Sequence, residues 1–249
     1  MTARCPAANL VIDAPIKTNK NRGTRVVYTG RYHGRPVIVK AYSHPLKRRI
    51  DWFLCHYHGR MLRRRGIPAP GIHYSGYAPS LKRYVIIYEH LGGDGDFYWI
   101  RTEPDRKRRL EGYGKLVPLL AVMHGKGIAQ KDTTPGNFLE SDGTIYALDE
   151  DRMDVRPWPR GKRASLDNLA SLITQFPPEA RDDTDRIGEV YMKERGWDMD
   201  ERWRQYLARR IDKFRAWRSN KRGFYYTGYR GALVMAAIGL AFIGLWLLV

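Results

Sequence analysis

The sequence predicts an α+β fold in two lobes, followed by a C-terminal transmembrane helix. Three observations carry this expectation. β-Branched and aromatic runs crowd the first third of the chain, helical runs dominate from residue 106 to 218, and residues 231–249 contain no charged residue, Asn or Gln. Strands first and helices later is the segregated α+β pattern. The lobes meet near Gly92-Gly93. This gives a β-rich part at 1–92, a mainly helical part at 93–222, and a juxtamembrane segment with its tail at 223–249.

Each element follows from local chemistry. Leu10-Val-Ile12 is apolar and β-branched enough for a first strand, and the polar turn Lys20–Thr24 ends it. Arg25–Thr29 and Pro36–Tyr42 read as a hairpin punctuated by Gly30 and Gly34. Leu46–Arg65 lacks Pro, and Trp52, Cys55 and Leu62 fall at helical spacing, so it reads as a helix. Gly66-Ile-Pro-Ala-Pro70 stops it. Tyr84–Tyr88 is a strand leading into the turn-rich connector Glu89–Gly93. Arg106–His124 is a helix in which Pro118 is expected to cause a kink or a break. Ile145–Leu148 is a short strand, and Leu166–Phe176 and Thr184–Arg218 are helical, the latter broken near Gly196.

Nineteen residues from Gly231 to Val249 make about 28 Å of helix, close to the hydrocarbon thickness of a bilayer. Lys221-Arg222 and the aromatic run Phe224–Tyr226, with Tyr229-Arg230, supply basic and aromatic interface residues ahead of it. The positive-inside bias then predicts a cytoplasmic location for residues 1–230. The alternative for this tail is a buried terminal helix or an oligomer contact.

Composition narrows the function. The 44 Lys and Arg against 26 Asp and Glu leave a net charge of +18, which suits an anionic partner: nucleic acid, lipid head groups or a phosphorylated substrate. Two cysteines, Cys5 and Cys55, exclude a disulfide scaffold and a cysteine-built zinc site. At 43% hydrophobic residues, the chain is not broadly disordered.

A small set of residues has the chemistry that phosphoryl transfer requires. Asp132 and Asn137 stand five apart in Asp132-Thr-Thr-Pro-Gly-Asn137, Asp149 follows an apolar strand in Leu148-Asp-Glu-Asp-Arg152, and Lys40 lies near the end of the hairpin. One carboxylate must accept or orient the attacking hydroxyl's proton. An amide oxygen and a second carboxylate can hold magnesium, and a lysine can hold nucleotide phosphates. Taken singly, Lys40 would be a surface strand lysine, Asp132 and Asn137 turn residues, and Asp149–Asp151 a solvated acidic turn. Their order and spacing together favour the catalytic reading.

On these residues the sequence resembles the protein-kinase-like superfamily, through Val37-Ile-Val-Lys40, then Asp132-x4-Asn137-Phe-Leu139, then Leu148-Asp149. It is closer still to the lipopolysaccharide core kinases, the Kdo and heptose kinase family. Gly66-Ile-Pro-Ala-Pro70 after a basic helix, Leu148-Asp-Glu-Asp-Arg152, and Trp158 followed by Asn168-Leu-Ala-Ser-Leu172 carry that likeness. The resemblance covers Gly23 to Leu172, with weaker likeness to Arg218. It implies a bilobal protein-kinase-like fold, with ATP and Mg2+ as cofactors. It assigns Asp132 as the catalytic residue, Asn137 and Asp149 as metal ligands, and Lys40, Gly23, Glu89 and Leu91 as nucleotide contacts. The implied acceptor is a sugar hydroxyl of the lipopolysaccharide core or a lipid A glycolipid at the bacterial inner membrane, with no nucleic acid partner expected.

The chain also departs from the family pattern. Gly23 alone stands in for a glycine-rich loop, Gln130-Lys131 precedes the catalytic Asp, Thr134 stands where many protein kinases have Lys, and Glu150-Asp151 replaces Phe-Gly. The helix after Lys40 has no Glu. Cys55 or His56 lies near the expected position and Asp51 one turn earlier, which leaves Asp51 or no residue as the lysine's partner. Two other functions stay open: a protein kinase or small basic kinase-like ATPase, and a non-catalytic, membrane-anchored pseudokinase scaffold. The short basic segment Met153–Ser165 lacks an Ala-Pro-Glu-like ending, which argues against a peptide acceptor.

Overall fold

The computed structural model describes residues 9–18, 25–42, 46–92, 95–175 and 181–220. Five strands form an antiparallel sheet: β1 (Leu10–Thr18), β2 (Arg25–Tyr32), β3 (Arg35–Tyr42), β4 (Ile72–Ala78) and β5 (Arg83–Glu89). Their order across the sheet is β1-β2-β3-β5-β4, so helix α1 (Leu46–Arg64) is inserted between β3 and β4. Alternation along β3 decides what each face holds. Val37, Val39 and Ala41 join Val85, Ile87 and Ala78 in one buried layer. Ile38 and Tyr42 pack with Ile86, Tyr88, Trp52 and Cys55 in a second layer beneath α1. Lys40 pairs with Ile86 in the β3–β5 register and so belongs to that second face.

The remaining elements are β6 (Gly95–Asp96), α2 (Arg106–Gly125), β7 (Ile128–Gln130), β8 (Phe138–Ser141), β9 (Thr144–Ala147), β10 (Met153–Val155), α3 (Lys162–Ile173), α4 (Arg181–Glu194) and α5 (Glu201–Asn220). Three short strands, β6-β8-β9, make a second sheet, and β7 pairs with β10. These carry the two loops of interest, after β7 and after β9. Helix α2 runs unbroken through Pro118. The expected break is overridden because Leu116, Val117, Leu120, Ala121 and Met123 are buried along its inner side. The break near Gly196 is present, with Gly196 at φ +64 between α4 and α5.

The α+β class stands, but the two-lobed kinase-like fold ending in a transmembrane helix is corrected. Residues 1–211 group into one compact unit. Bonds that cross the expected boundary give the reason. The Ala147 N–H donates to Pro68 O at 2.9 Å, Arg65 donates to the carbonyls of Lys126 and Arg156, and Arg25 and Lys40 of the sheet pair with the acidic turn after β9. A second unit begins at Asp212, of which the end of α5 is described. Among the described residues no helix is long and apolar enough to cross a membrane. The apolar run 231–249 lies outside the described residues.

Candidate functional site

A cleft of about 440 Å³ opens beside the second face of the sheet. Its apolar walls come from Ile16, Val27 and Ile38 on the sheet side and Leu139 and Leu148 opposite. Lys40, Asn137, Asp149 and Glu150 also line it, with both carboxylates within 3.5 Å of Lys40 Nζ.

Lys40 reaches the cleft because the pleat of β3 turns it away from the Val37–Val39–Ala41 layer. Its Nζ lies 3.2 Å from Glu150 Oε2 and 3.5 Å from Asp149 Oδ1, and 5.2 Å from the centre of the Tyr88 ring. Burial works against the ammonium charge, but Glu150 and Asp149 outweigh it and hold the Lys40 pKa well above its ordinary value. Glu150 is 1% exposed. Its Oε2 also accepts from Tyr88 Oη at 3.1 Å, with the Cys55 thiol 3.8 Å away, while the His58 ring meets its backbone carbonyl at 2.9 Å. Burial, with the Glu150 charge adding to it, pushes the Cys55 thiol up to about 12, so Cys55 is a neutral neighbour.

Asp149 sits in the left-handed region at φ 62, ψ 55. A non-glycine residue there costs on the order of 1 kcal/mol, and such strain clusters at functional sites. Its carboxylate is held by Arg25 at 3.0 Å and by Lys40. Burial would raise its pKa, yet the charges of Lys40 and Arg25 prevail and keep it well below the usual carboxylate range. Arg25 also binds Asp151 at 2.7 Å. Asp151 moves the other way: burial and the neighbouring Asp149 charge raise it.

Asn137 ends a 3-10 turn at Pro135–Asn137 and ties its loop together, with Nδ2 donating to Asp132 O at 2.8 Å. The amide oxygen is then the atom suited to a cation. The Leu148 N–H donates to Asn137 O at 2.8 Å, which sets Asn137 directly beside the Asp149 segment. One carboxylate plus one amide oxygen fits magnesium, which takes few protein ligands and fills its shell with phosphates and water. Among the described residues there is no cluster of three or more His, Cys, Asp or Glu suited to a metal.

The structure brings together Lys40, Glu89, Leu91, Asn137 and Asp149 around one cleft. Asp132 is exposed on the same loop as Asn137 but does not line the cleft. Gly23 lies outside the described residues. The Glu89 carboxylate accepts from the Gly71 N–H at 2.7 Å, and the Leu91 carbonyl accepts from Ser141 at 2.7 Å. Both residues therefore also fix the cleft's own rim.

Sequence reasoning missed Arg25 and Glu150. The absent helix Glu was the available signal for Glu150, since an acid stands after Asp149 where the family pattern has Phe. Arg25 left no signal, because its partners lie more than a hundred residues away. Asp51, the partner considered, makes neither contact with Lys40, whose carboxylate neighbours are Asp149 and Glu150.

Behind the Asp132 loop lies a buried polar network. The His124 Nε2–H donates to Asn168 Oδ1 at 2.9 Å, so Nδ1 accepts from the Tyr191 hydroxyl at 2.6 Å. Asn168 Nδ2 donates to Gln130 O and Thr133 Oγ1, both at 2.8 Å. Burial drives the His124 imidazole down to about 3, so it stays neutral. His124 is therefore a buried packing residue, and the network anchors the residues flanking Asp132. No family model matches the chain, and no curated protein matches it either.

Proposed function

We propose that the chain is an ATP-dependent phosphotransferase with an alcohol group as acceptor. The observation that carries this reading is that Lys40, Asn137 and Asp149 line one cleft, with Lys40 on Asp149 and Asn137 bonded to Leu148 beside it. The apolar walls suit a nucleotide base, and Lys40 suits its phosphates as a fixed cation. Asn137 and Asp149 would hold magnesium, which when bound neutralises charge developing on the transferred phosphoryl group. Asp132 takes the proton of the acceptor hydroxyl as its oxygen bonds to the γ-phosphorus and ADP leaves. Its exposure outside the nucleotide cleft suits a group that meets a second substrate. The acceptor we propose is a Kdo or heptose hydroxyl of the lipopolysaccharide inner core, at the cytoplasmic face of the inner membrane. This rests on the resemblance described above.

A second reading, a non-catalytic nucleotide-binding scaffold, is favoured by Arg25, which bridges Asp149 and Asp151 and neutralises charge a metal would otherwise meet. Incubating the purified full chain with γ-labelled ATP, magnesium and inner-core lipopolysaccharide separates the two. Label on the acceptor supports the transferase. Nucleotide binding without transfer or hydrolysis overturns it in favour of the scaffold.

A further inference from the structure

Helix α1 buries one side and leaves an apolar stripe on the other. Cys55, Gly59 and Leu62 are buried toward the sheet and the acidic turn. Ile50, Phe53 and Tyr57 are 49%, 57% and 44% exposed. At about 100° per residue these three lie within one stripe. The Phe53 and Tyr57 rings run nearly parallel, 12° apart with centroids at 6.4 Å, as neighbours on that stripe. The same stripe continues into Arg60 and Arg64, both exposed. The helix carries six Lys and Arg and a single acid, Asp51, which falls on a different side from the stripe.

Isolated exposed apolar residues need no explanation, but three large ones in register on one helix do. An aromatic and aliphatic stripe continuous with arginines is the chemistry of a helix lying in a lipid interface, with apolar side chains below the head groups and cations among them. We infer that the exposed face of α1 docks on an anionic lipid surface. A second copy of the chain would bring two strongly basic faces together, whereas anionic head groups complement the +18 charge. This inference stands apart from phosphoryl transfer.

The experiment uses the full chain with Cys5→Ser and Phe53→Cys, labelled with a polarity-sensitive fluorophore; the buried Cys55 thiol is shielded from the label. The probe reads the α1 face itself, whatever other segment touches the vesicle. Phosphatidylglycerol-containing vesicles are expected to shift its emission to the blue, with phosphatidylcholine vesicles leaving it unchanged. The same label at Asp142→Cys, in the β8–β9 turn, stays unshifted. Adding Arg60→Ala and Arg64→Ala to the Phe53 probe weakens apparent vesicle affinity about 30-fold. No shift with anionic vesicles, an equal shift with neutral ones, or a shift caused by RNA or by raised protein concentration in place of vesicles overturns the proposal.

Discussion

Lys40 Nζ lies 3.2 Å from Glu150 Oε2, and that carboxylate comes from the residue directly after Asp149, not from helix α1. Cys55 occupies the helix position that faces the lysine, and its neutral thiol sits 3.8 Å from the same oxygen. The lysine's counter-charge and the proposed metal ligand are therefore adjacent residues on one loop. Whatever moves that loop moves both.

Glu150→Gln removes the carboxylate charge and leaves a buried ammonium short of a partner. We expect a loss of about 3 kcal/mol in urea unfolding. A double-mutant cycle with Lys40→Met should show a coupling of about 1–3 kcal/mol. Additive losses would mean that the pair does not interact in solution.

Asp149 sets an acid limit on stability. Its folded pKa lies below its ordinary value because Lys40 and Arg25 outweigh burial. The stabilisation is therefore present above about pH 4 and is lost as the pH falls through the lower folded value. Asp151, raised by burial and by Asp149, opposes part of this. Asp149→Asn should flatten the fall in urea midpoint below about pH 4. An unchanged acid profile would show that the ion pairs with Arg25 and Lys40 do not stabilise the fold.

His124 acts in a different window. Burial lowers its pKa to about 3, so below the ordinary histidine value the unfolded chain binds a proton that the folded chain refuses. Stability should then fall by about 1.4 kcal/mol per pH unit between about pH 6 and pH 4 from this residue. His56 and His58, also lowered chiefly by burial, act in the same direction. His124→Leu should lose stability at pH 8, where Asn168 and Tyr191 lose their partner, but show a shallower acid slope. A slope equal to that of the parent chain would place the titration elsewhere.

Asp132→Asn should cut phosphoryl transfer by roughly 10²–10⁴ while nucleotide affinity, measured by calorimetry, stays near that of the parent. Asn168→Ala, which releases Gln130 O and Thr133 Oγ1, should lower kcat more than it raises the KM for ATP. Parent-like turnover in Asp132→Asn removes Asp132 from the mechanism.

Local chemistry in the sequence determined the α+β class, the β2–β3 hairpin, α1 with its stop at Gly66, the break at Gly196 and the clustering of Lys40, Asn137 and Asp149 as candidates. Each rests on a short-range rule: alternation along a strand, spacing along a helix, a glycine at positive φ. The tertiary structure alone decided three things. Burial of its inner side kept α2 continuous through Pro118. Bonds across the expected boundary joined residues 1–211 into one unit. The lysine's counter-charge fell to Glu150, and Arg25 was drawn onto Asp149 and Asp151. All three depend on contacts between distant residues, such as the 110 separating Lys40 from Glu150. A buried charge must find a partner wherever the folded chain supplies one, and residue spacing along the sequence does not encode that meeting.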